Sequence, residues 1–313
     1  MSVLLSRRAT AATPKRAHLL AMHSRAYSQV SAVGARLRPR LRWWTLAAAT
    51  SAGLGYVAGA KWPPRAIPFV FSPYSTEMNA LSFYEKEEHC REVERELHQI
   101  PYVRELTARS FESKSARRVR EACDVPEAEP AASLADAQFV VMRPFVNVPP
   151  MGIQHQFTAA SLRGPGRFAA TPLVFSKTEK GAQETGGSEG DGVAFVHLGG
   201  DLCGFEGVIH GGLIATIFDE ALARSAFYAL PNMVGVTAKL EVDYRRPVRA
   251  GQFVAIESHI VEAKGRKTVV RAELCDCSSR QVLAEAKAVF VEPRWAKMIS
   301  WVGGLNVRKL LEE

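Results

Sequence analysis

The sequence is poor in cysteine, and its five cysteines are spaced neither for a disulfide framework nor for a zinc site. Cys90, Cys123, Cys203, Cys275 and Cys277 include no CxxC pair, and an odd number cannot all pair within one chain. We therefore predict unpaired thiols and no bound metal.

Acidic residues are absent from the first 76 positions, which hold eleven Lys and Arg. Since the whole chain carries a net charge of +8, residues 77–313 carry −3. The high isoelectric point thus belongs to the N-terminus and not to a nucleic-acid-binding face, so we expect no nucleic-acid partner. A hydrophobic content of 47% in 313 residues is enough for one large globular domain or two modest ones.

Residues 1–42 have the composition of a mitochondrial targeting segment. They hold nine basic residues, several Ser and Ala, and no acid, whereas a secretory signal would have an apolar core close to its start. A disordered basic arm is the alternative.

An uncharged run of residues follows at 43–60. As a helix it would be about 27 Å long, close to the thickness of a bilayer core, and Gly55 and Gly59 would let a second helix approach. We predict a transmembrane helix at 43–62 that anchors the protein, with the inner mitochondrial membrane as its site. Because the run is mostly Ala and Gly, a presequence tail or a buried soluble helix is the alternative.

Residues 63–135 are predicted to be a helical extension and linker. Thr76 is placed to cap a helix that runs to about residue 98, and its charged run at 85–96 is expected to be a solvated face. The segment 121–137 has the Pro, Ala and Glu content of a loop, which suggests a domain boundary near 135.

Residues 136–293 are predicted to form one α+β domain. A hairpin is expected at 153–175 around Gly164-Pro165-Gly166, and a mobile surface loop at 177–192. A short strand at 194–198 precedes a helix at 211–230 that Pro231 ends. Four strand-like runs follow, at 234–244, 253–262, 268–276 and 282–292. One helix followed by a meander of strands indicates an antiparallel sheet wrapped on that helix. The tail, 294–313, is expected to hold a short amphipathic helix.

The start of that helix, His210-Gly211-Gly212, is the first candidate for chemistry. Glycines at a loop-to-helix junction let a ligand approach the first helical N–H groups, which lack internal partners. A carbonyl oxygen placed there would be stabilised as it gains negative charge. Alternatively the glycines only permit tight packing, and His210, a possible donor to substrate, only stabilises the turn.

Asp219 is the second candidate, because a carboxylate among small residues inside a helix is costly unless it is used or paired. We predict that Asp219 is a general base that activates water, and that Thr237 on the polar side of the next strand, beside Lys239, orients that water. Glu220 and Arg224 are expected to form an ordinary surface pair at i, i+4. The alternatives are a structural hydrogen bond for Asp219 and a threonine that only favours the strand.

The spacing along the helix adds a prediction about assembly. Gly212 and Asp219 are seven residues apart, about 10 Å along the axis, too far to act on one carbon in one subunit. A site that uses both must join two antiparallel helices of a dimer, and the small face Ala215, Asp219, Ala223 and Ala226 suits their approach.

The segment from His210 to Asp219, followed by Gly235-Val236-Thr237 and by Asp243-Tyr244, closely resembles the hotdog-fold acyl-CoA thioesterases, especially the mitochondrial members of the thioesterase superfamily. The resemblance implies that Gly211 polarises the thioester carbonyl, that Asp219 is the base or nucleophile and that Thr237 positions water. It also implies that coenzyme A contacts the residues Lys239, Tyr244, Lys264, Gly265, Arg266 and Lys267. Gly204 stands where some members have an asparagine six residues before the histidine.

The resulting expectation is a hotdog-fold enzyme that hydrolyses acyl-CoA to free acid and coenzyme A in mitochondria. It needs no cofactor and acts as a homodimer or dimer of dimers. The alternative is a non-catalytic acyl-CoA-binding or membrane-scaffold protein, which Gly204 and the long N-terminal region favour.

Overall fold

The computed structural model of the protein describes residues 81–126, 133–148 and 150–296. The predicted targeting segment, the predicted membrane helix and nearly all of the tail lie outside these residues. Among the residues described, no helix combines the length and the apolar character needed to cross a bilayer.

The described chain contains helices of very different length and a large sheet. The helices are α1 (Phe83–Gln99), α2 (Pro101–Thr107), α3 (Lys114–Ala122), α4 (Pro150–Ile153), a π-helix (Phe157–Ser161), α5 (Glu179–Thr185), a 3-10 turn (Gly200–Leu202) and α6 (Gly211–Tyr228). The strands are β1 (Ser110–Glu112), β2 (Phe139–Met142), β3 (Leu173–Lys177), β4 (Gly192–Leu198), β5 (Cys203–Phe205), β6 (Val208–Ile209), β7 (Val236–Tyr244), β8 (Gln252–Lys264), β9 (Lys267–Asp276) and β10 (Val282–Val291).

Eight strands form one sheet in the order β1-β2-β3-β4-β8-β9-β10-β7, and β5 pairs with β6 separately. All neighbours in the large sheet are antiparallel except β1 and β2. The predicted α+β arrangement of an antiparallel sheet and a helix is confirmed.

Helix α6 lies against one face of this sheet. His210 caps its first turn, no Pro or charged cluster interrupts it, and it ends at Tyr228, two residues before the predicted end. Phe218 and Leu222 are fully buried in the cluster that joins α6 to the sheet. The apolar stripe of α6 is thus buried against the apolar face of the sheet, and both surfaces are excluded from water.

The hairpins that follow α6 match the sequence expectation. Strands β8 and β9 meet at a tight turn where Gly265 has φ +58°, in the left-handed region that glycine adopts without steric cost. Residues of β8, β9 and β10 such as Ile256, Leu274 and Ala288 are buried against α6.

Strand β7 departs from the predicted alternation because it contains a bulge. Lys239 pairs with Val289 and Thr237 with Phe290, so the register shifts between them. Residues paired across antiparallel strands point to the same side, and Phe290 is buried beside α6. Thr237 therefore faces α6 while Lys239 faces away from it, and the prediction that they share a side was wrong.

The predicted buried face of β7 is also only partly covered. Leu240 and Val242 pack on the core, but Val236 and Tyr244 are 50% and 52% exposed. The reason is that β7 is the edge strand of the sheet.

Two local predictions were wrong in the stretch before β4. Residues 153–175 form no hairpin of two strands, since α4 and the π-helix occupy its first half. Ile153 ends α4 and Phe157 begins the π-helix, so these apolar residues do not alternate along a strand. The segment 177–192 is not all loop, because Thr178 accepts a hydrogen bond from Gly181 N and caps α5.

The extension packs on the sheet face opposite α6. Helix α1 begins after Ser82, which forms a capping box with Glu85. The predicted cap, Thr76, lies outside the described residues. Val93, Leu97, Val103 and Leu106 join Phe175 and Phe195 in a second core cluster. Because β1 pairs with β2, the sheet runs across residue 135, and a domain boundary there stays a prediction.

The sequence predicted that the charged run of α1 is a solvated face, but one of its charged residues is buried. Glu94 is 2% exposed and forms an ion pair with the buried Arg143, which follows β2. Arg143 also donates to the carbonyl of Thr171 and contacts His98 Nε2 at 3.1 Å. This pair ties the extension to the rest of the protein.

Candidate active site

His210 shapes the loop that leads into α6. Its backbone is extended (φ −63°, ψ 129°), and its Nδ1 accepts a hydrogen bond of 2.9 Å from Gly212 N. In the neutral imidazole the proton then sits on Nε2. That N–H is on an exposed side chain, so His210 is set up to donate to a molecule outside the helix.

The first N–H groups of α6 are used unequally. Leu213 N and Ile214 N donate to the carbonyl of His210, at 2.9 and 3.2 Å, and Gly212 N is taken by the His210 ring. Within the described part of the chain, Gly211 N has no acceptor. The donor left for a ligand at the positive end of α6 is therefore the N–H of Gly211, and Gly212 is excluded from that role.

Tyr244 has a structural task at the same place. Its hydroxyl donates to the carbonyl oxygen of Gly211 at 2.8 Å, although the ring is half exposed. The contact joins the end of β7 to the start of α6. It holds the carbonyl of the Gly211–Gly212 peptide, a role that sequence reasoning had not assigned to Tyr244.

Asp219 and Thr237 are brought together as expected. Thr237 Oγ1 donates to Asp219 Oδ1 at 2.8 Å, and the bulge in β7 makes this contact possible. Asp219 is half-buried, and its Oδ2 has no partner among the residues described. A carboxylate with one oriented oxygen and one open oxygen can hold a water molecule and accept its proton.

The two groups are separated within one chain. Gly211 and Asp219 lie eight residues apart on α6, which is about 12 Å along the axis. No single carbonyl carbon can contact both in one protomer.

The predicted coenzyme A residues divide into two sets. Lys239 lies on the far face of the sheet, where its Nζ is 2.5 Å from Glu241 Oε1, so it is remote from Asp219. Residues 264–267, by contrast, form an exposed turn whose three cations have no acidic partner among the described residues. Thr268, next to this turn, and Thr237 both pair with Phe290. The turn therefore starts only about 10 Å from Thr237, two strand spacings.

Glu220 and Arg224 do form the predicted pair, at 3.1 Å, but not on an ordinary surface. Glu220 also accepts from Thr158 at 2.8 Å, and Arg224 lies over the ring of Phe145. The four residues line a small cavity beside α6. Sequence reasoning missed it because residues 144–158 have no periodic pattern that would place them there.

The part of the chain that holds these groups is similar to known proteins. Residues 206–283 match the sequence model of the thioesterase superfamily. A Candida albicans protein named "Uncharacterized protein, mitochondrial" is 35% identical over 146 residues, which is 45% of this chain and 61% of that protein. The Saccharomyces cerevisiae "Uncharacterized mitochondrial membrane protein FMP10" is 30% identical over 148 residues, 47% of this chain and 57% of that one. The mouse "Acyl-coenzyme A thioesterase THEM4" is 28% identical over 142 residues, 45% and 55% of the two chains. The matched region thus covers less than two thirds of each of these relatives.

Proposed function

We propose that the protein hydrolyses acyl-CoA thioesters to a free acid and coenzyme A, because residues 206–283 match the sequence model of the thioesterase superfamily. Two observations carry the proposal together: Thr237 donates to Asp219, and the N–H of Gly211 at the start of α6 has no acceptor among the described residues. The resemblance to mammalian acyl-CoA thioesterases supports the substrate class.

In this mechanism the thioester carbonyl oxygen accepts from Gly211 N–H at the positive end of α6. Asp219 Oδ2 takes a proton from a water molecule, whose oxygen attacks the carbonyl carbon. The negative charge that forms on the carbonyl oxygen is stabilised by the N–H and the helix dipole. The C–S bond then breaks, and the thiolate of coenzyme A takes up the proton that Asp219 received. His210 Nε2–H donates to the carbonyl oxygen or to the leaving sulfur.

The separation of Gly211 and Asp219 requires that each site takes Gly211 from one protomer and Asp219 with Thr237 from its partner. Two observations support a homodimer, or a dimer of dimers. Strand β7 is an edge strand with half-exposed apolar residues, and α6 presents Gly212, Ala215 and Ala223 incompletely buried beside Asp219. Ala226, predicted for that face, is fully buried inside the protomer.

Coenzyme A phosphates would bind at the turn of residues 264–267. Its cations have no acidic partner among the residues described and begin two strands from Thr237. Charge-assisted contacts of this kind suit phosphate oxygens. Lys239 does not contribute to this site, because Glu241 holds it on the other face of the sheet.

The proposed location is the mitochondrion, with an anchor in the inner membrane. The basic, acid-free composition of residues 1–42 supports import, and the uncharged run at 43–60 supports the anchor. The names of the Candida and Saccharomyces relatives agree with this location.

The test is the D219N substitution, assayed with a panel of acyl-CoA chain lengths. Loss of a general base lowers kcat by about 10²- to 10⁴-fold, whereas Asn can still accept the Thr237 hydrogen bond and leaves the fold intact. D243N is the matched control. Asp243 is an exposed carboxylate of β7 that lies opposite Glu285 of β10 in the strand register, on the face of the sheet away from α6. Full activity in D219N would rule out this mechanism.

A non-catalytic acyl-CoA-binding or scaffold protein is the second candidate, and Gly204 favours it. A Cβ at position 204 would lie 3.0 Å from His210 Cδ2, so an asparagine side chain does not fit beside that ring as it stands. Because Gly204 stands where some members of the family that the sequence resembles have an asparagine, the resemblance implies one donor fewer at this site. This candidate predicts acyl-CoA binding without turnover by the wild-type protein at every chain length.

A further inference from the structure

The cavity beside α6 combines an apolar lining with two arginines. Val174, Val196 and Ile256 of the sheet form its floor, and Ile217 and Ala221 of α6 form one wall. Arg163 and Arg224 also line it. Guanidinium groups are costly in such surroundings unless acceptors satisfy them.

The charges of this lining do not cancel. Glu220 is the carboxylate in the lining, and it pairs with Arg224 through Nη2 alone. Arg163 donates through Nη2 to the hydroxyl of Thr171. The other guanidinium N–H groups of both arginines have no acceptor among the residues described. Two cations and one anion leave a net charge of +1 around the cavity, and burial lowers the pKa of both guanidinium groups.

The walls of the cavity carry backbone conformations that are uncommon in ordinary packing. Phe145, whose ring lies 5.4 Å from the guanidinium carbon of Arg224, has φ +66°, which is strained for a bulky residue. Thr158, which binds Glu220, lies in a π-helix. Both features are frequent at ligand-binding sites, where the surrounding structure maintains them.

The cavity lies next to the reacting groups along the same helix. Glu220 follows Asp219 directly, so the cavity and the carboxylate occupy neighbouring flanks of α6. From helix geometry, the Cα atoms of Asp219 and Arg224 are roughly 9 Å apart. An acyl group of short to medium length, with its thioester at Asp219, spans that distance.

We propose that this cavity receives the far end of the acyl group and selects acyl chains that end in a carboxylate, which Arg163 and Arg224 bind. A terminal carboxylate supplies the acceptors that the guanidinium groups lack and neutralises the excess positive charge. A terminal methyl group would displace water from the same N–H groups without supplying a hydrogen-bond acceptor in its place. This inference rests on the proposed thioesterase function, whose substrate class it narrows to dicarboxylic acyl thioesters.

The experiment compares matched substrates on the full chain: octanedioyl-CoA with octanoyl-CoA, and hexanedioyl-CoA with hexanoyl-CoA. A charge-assisted hydrogen bond corresponds to a preference of about tenfold or more in kcat/KM for the dicarboxylic member. Equal rates, or faster hydrolysis of the monocarboxylic esters, would overturn the inference and leave the thioesterase function standing. If no ester is hydrolysed, the proposed function fails instead. Dissociation constants of the same pairs from calorimetry then decide the cavity's preference.

Variants separate a binding role from a structural one. R224Q should abolish the preference while hydrolysis of octanoyl-CoA continues, and R224K, which keeps the charge, should restore part of it. R118Q is the matched control, because Arg118 is an exposed arginine on α3. A folded R224Q that keeps the full preference would contradict the assignment. If R224Q does not fold, R163Q provides the same comparison.

Discussion

The substitution G211P removes one hydrogen-bond donor from the proposed site and little else. Gly211 is the first residue of α6, the helical position that tolerates proline best. The preceding residue, His210, already has the extended backbone that proline requires, with ψ 129°. Because Gly211 N has no partner in the described part of the chain, no hydrogen bond of the fold is lost.

The expected effect follows from the charge that develops on the thioester oxygen. Loss of one oxyanion donor lowers kcat by about 10²- to 10³-fold, or about 2.7 to 4 kcal/mol. The free energy of unfolding should stay the same or rise slightly, since proline lowers the conformational entropy of the unfolded chain. The measurements are kcat on an acyl-CoA substrate and the midpoint of thermal unfolding.

G211A is the control that keeps the N–H. Its Cβ would lie 3.6 Å from the Tyr244 ring, an ordinary van der Waals contact. G211A should therefore retain most of the activity. Wild-type kcat in a folded G211P would refute the assignment of this N–H to the transition state.

The same variant tests whether the site is shared. Mixed dimers of G211P and D219N chains have one site with both defects and one with neither. If equal amounts assemble at random, half of the dimers are mixed, and about a quarter of the wild-type activity should return. If the mixture stays inactive although mixed dimers form, Gly211 and Asp219 do not act across an interface.

Three further predictions concern the regions around the site. Neutralising the three cations of the turn 264–267 to Gln should raise KM for acyl-CoA with little change in kcat, and weaken its salt dependence; an unchanged KM would remove the turn from the substrate site. E94Q should destabilise the fold by roughly 3 kcal/mol or more, measured by denaturant unfolding, because it leaves Arg143 as an uncompensated buried charge; an unchanged midpoint would show that the pair does not hold the extension. Burial lowers the pKa of His197 from 6.5 to about 4, so the folded protein binds this proton less readily than the unfolded chain does. The free energy of unfolding therefore keeps its full value above about pH 6.5 and falls by up to about 3 kcal/mol as the pH drops towards 4. H197F should flatten this part of the pH profile, since a phenyl ring suits the site beside Phe253.

Much of the domain was predictable because its signals are local. The Gly-Gly start and Pro231 delimit α6 within two residues. Strands β8, β9 and β10 follow their alternation and turn residues. The approach of Thr237 to Asp219 followed from the resemblance, and the structure brings them to 2.8 Å.

The sequence by itself determined α6 and the strands β7 to β10, since side-chain periodicity and turn residues are local signals. Only the tertiary structure decided which way particular side chains point and what they meet. The bulge opposite Phe290 turned Thr237 towards α6 and Lys239 away from it. Burial of Glu94 depended on Arg143, 49 residues further on. The surroundings of Arg224 depended on residues 145 to 163, which no local pattern connects to α6. Such contacts join residues distant in sequence, and their energies are set by packing, which no single segment encodes.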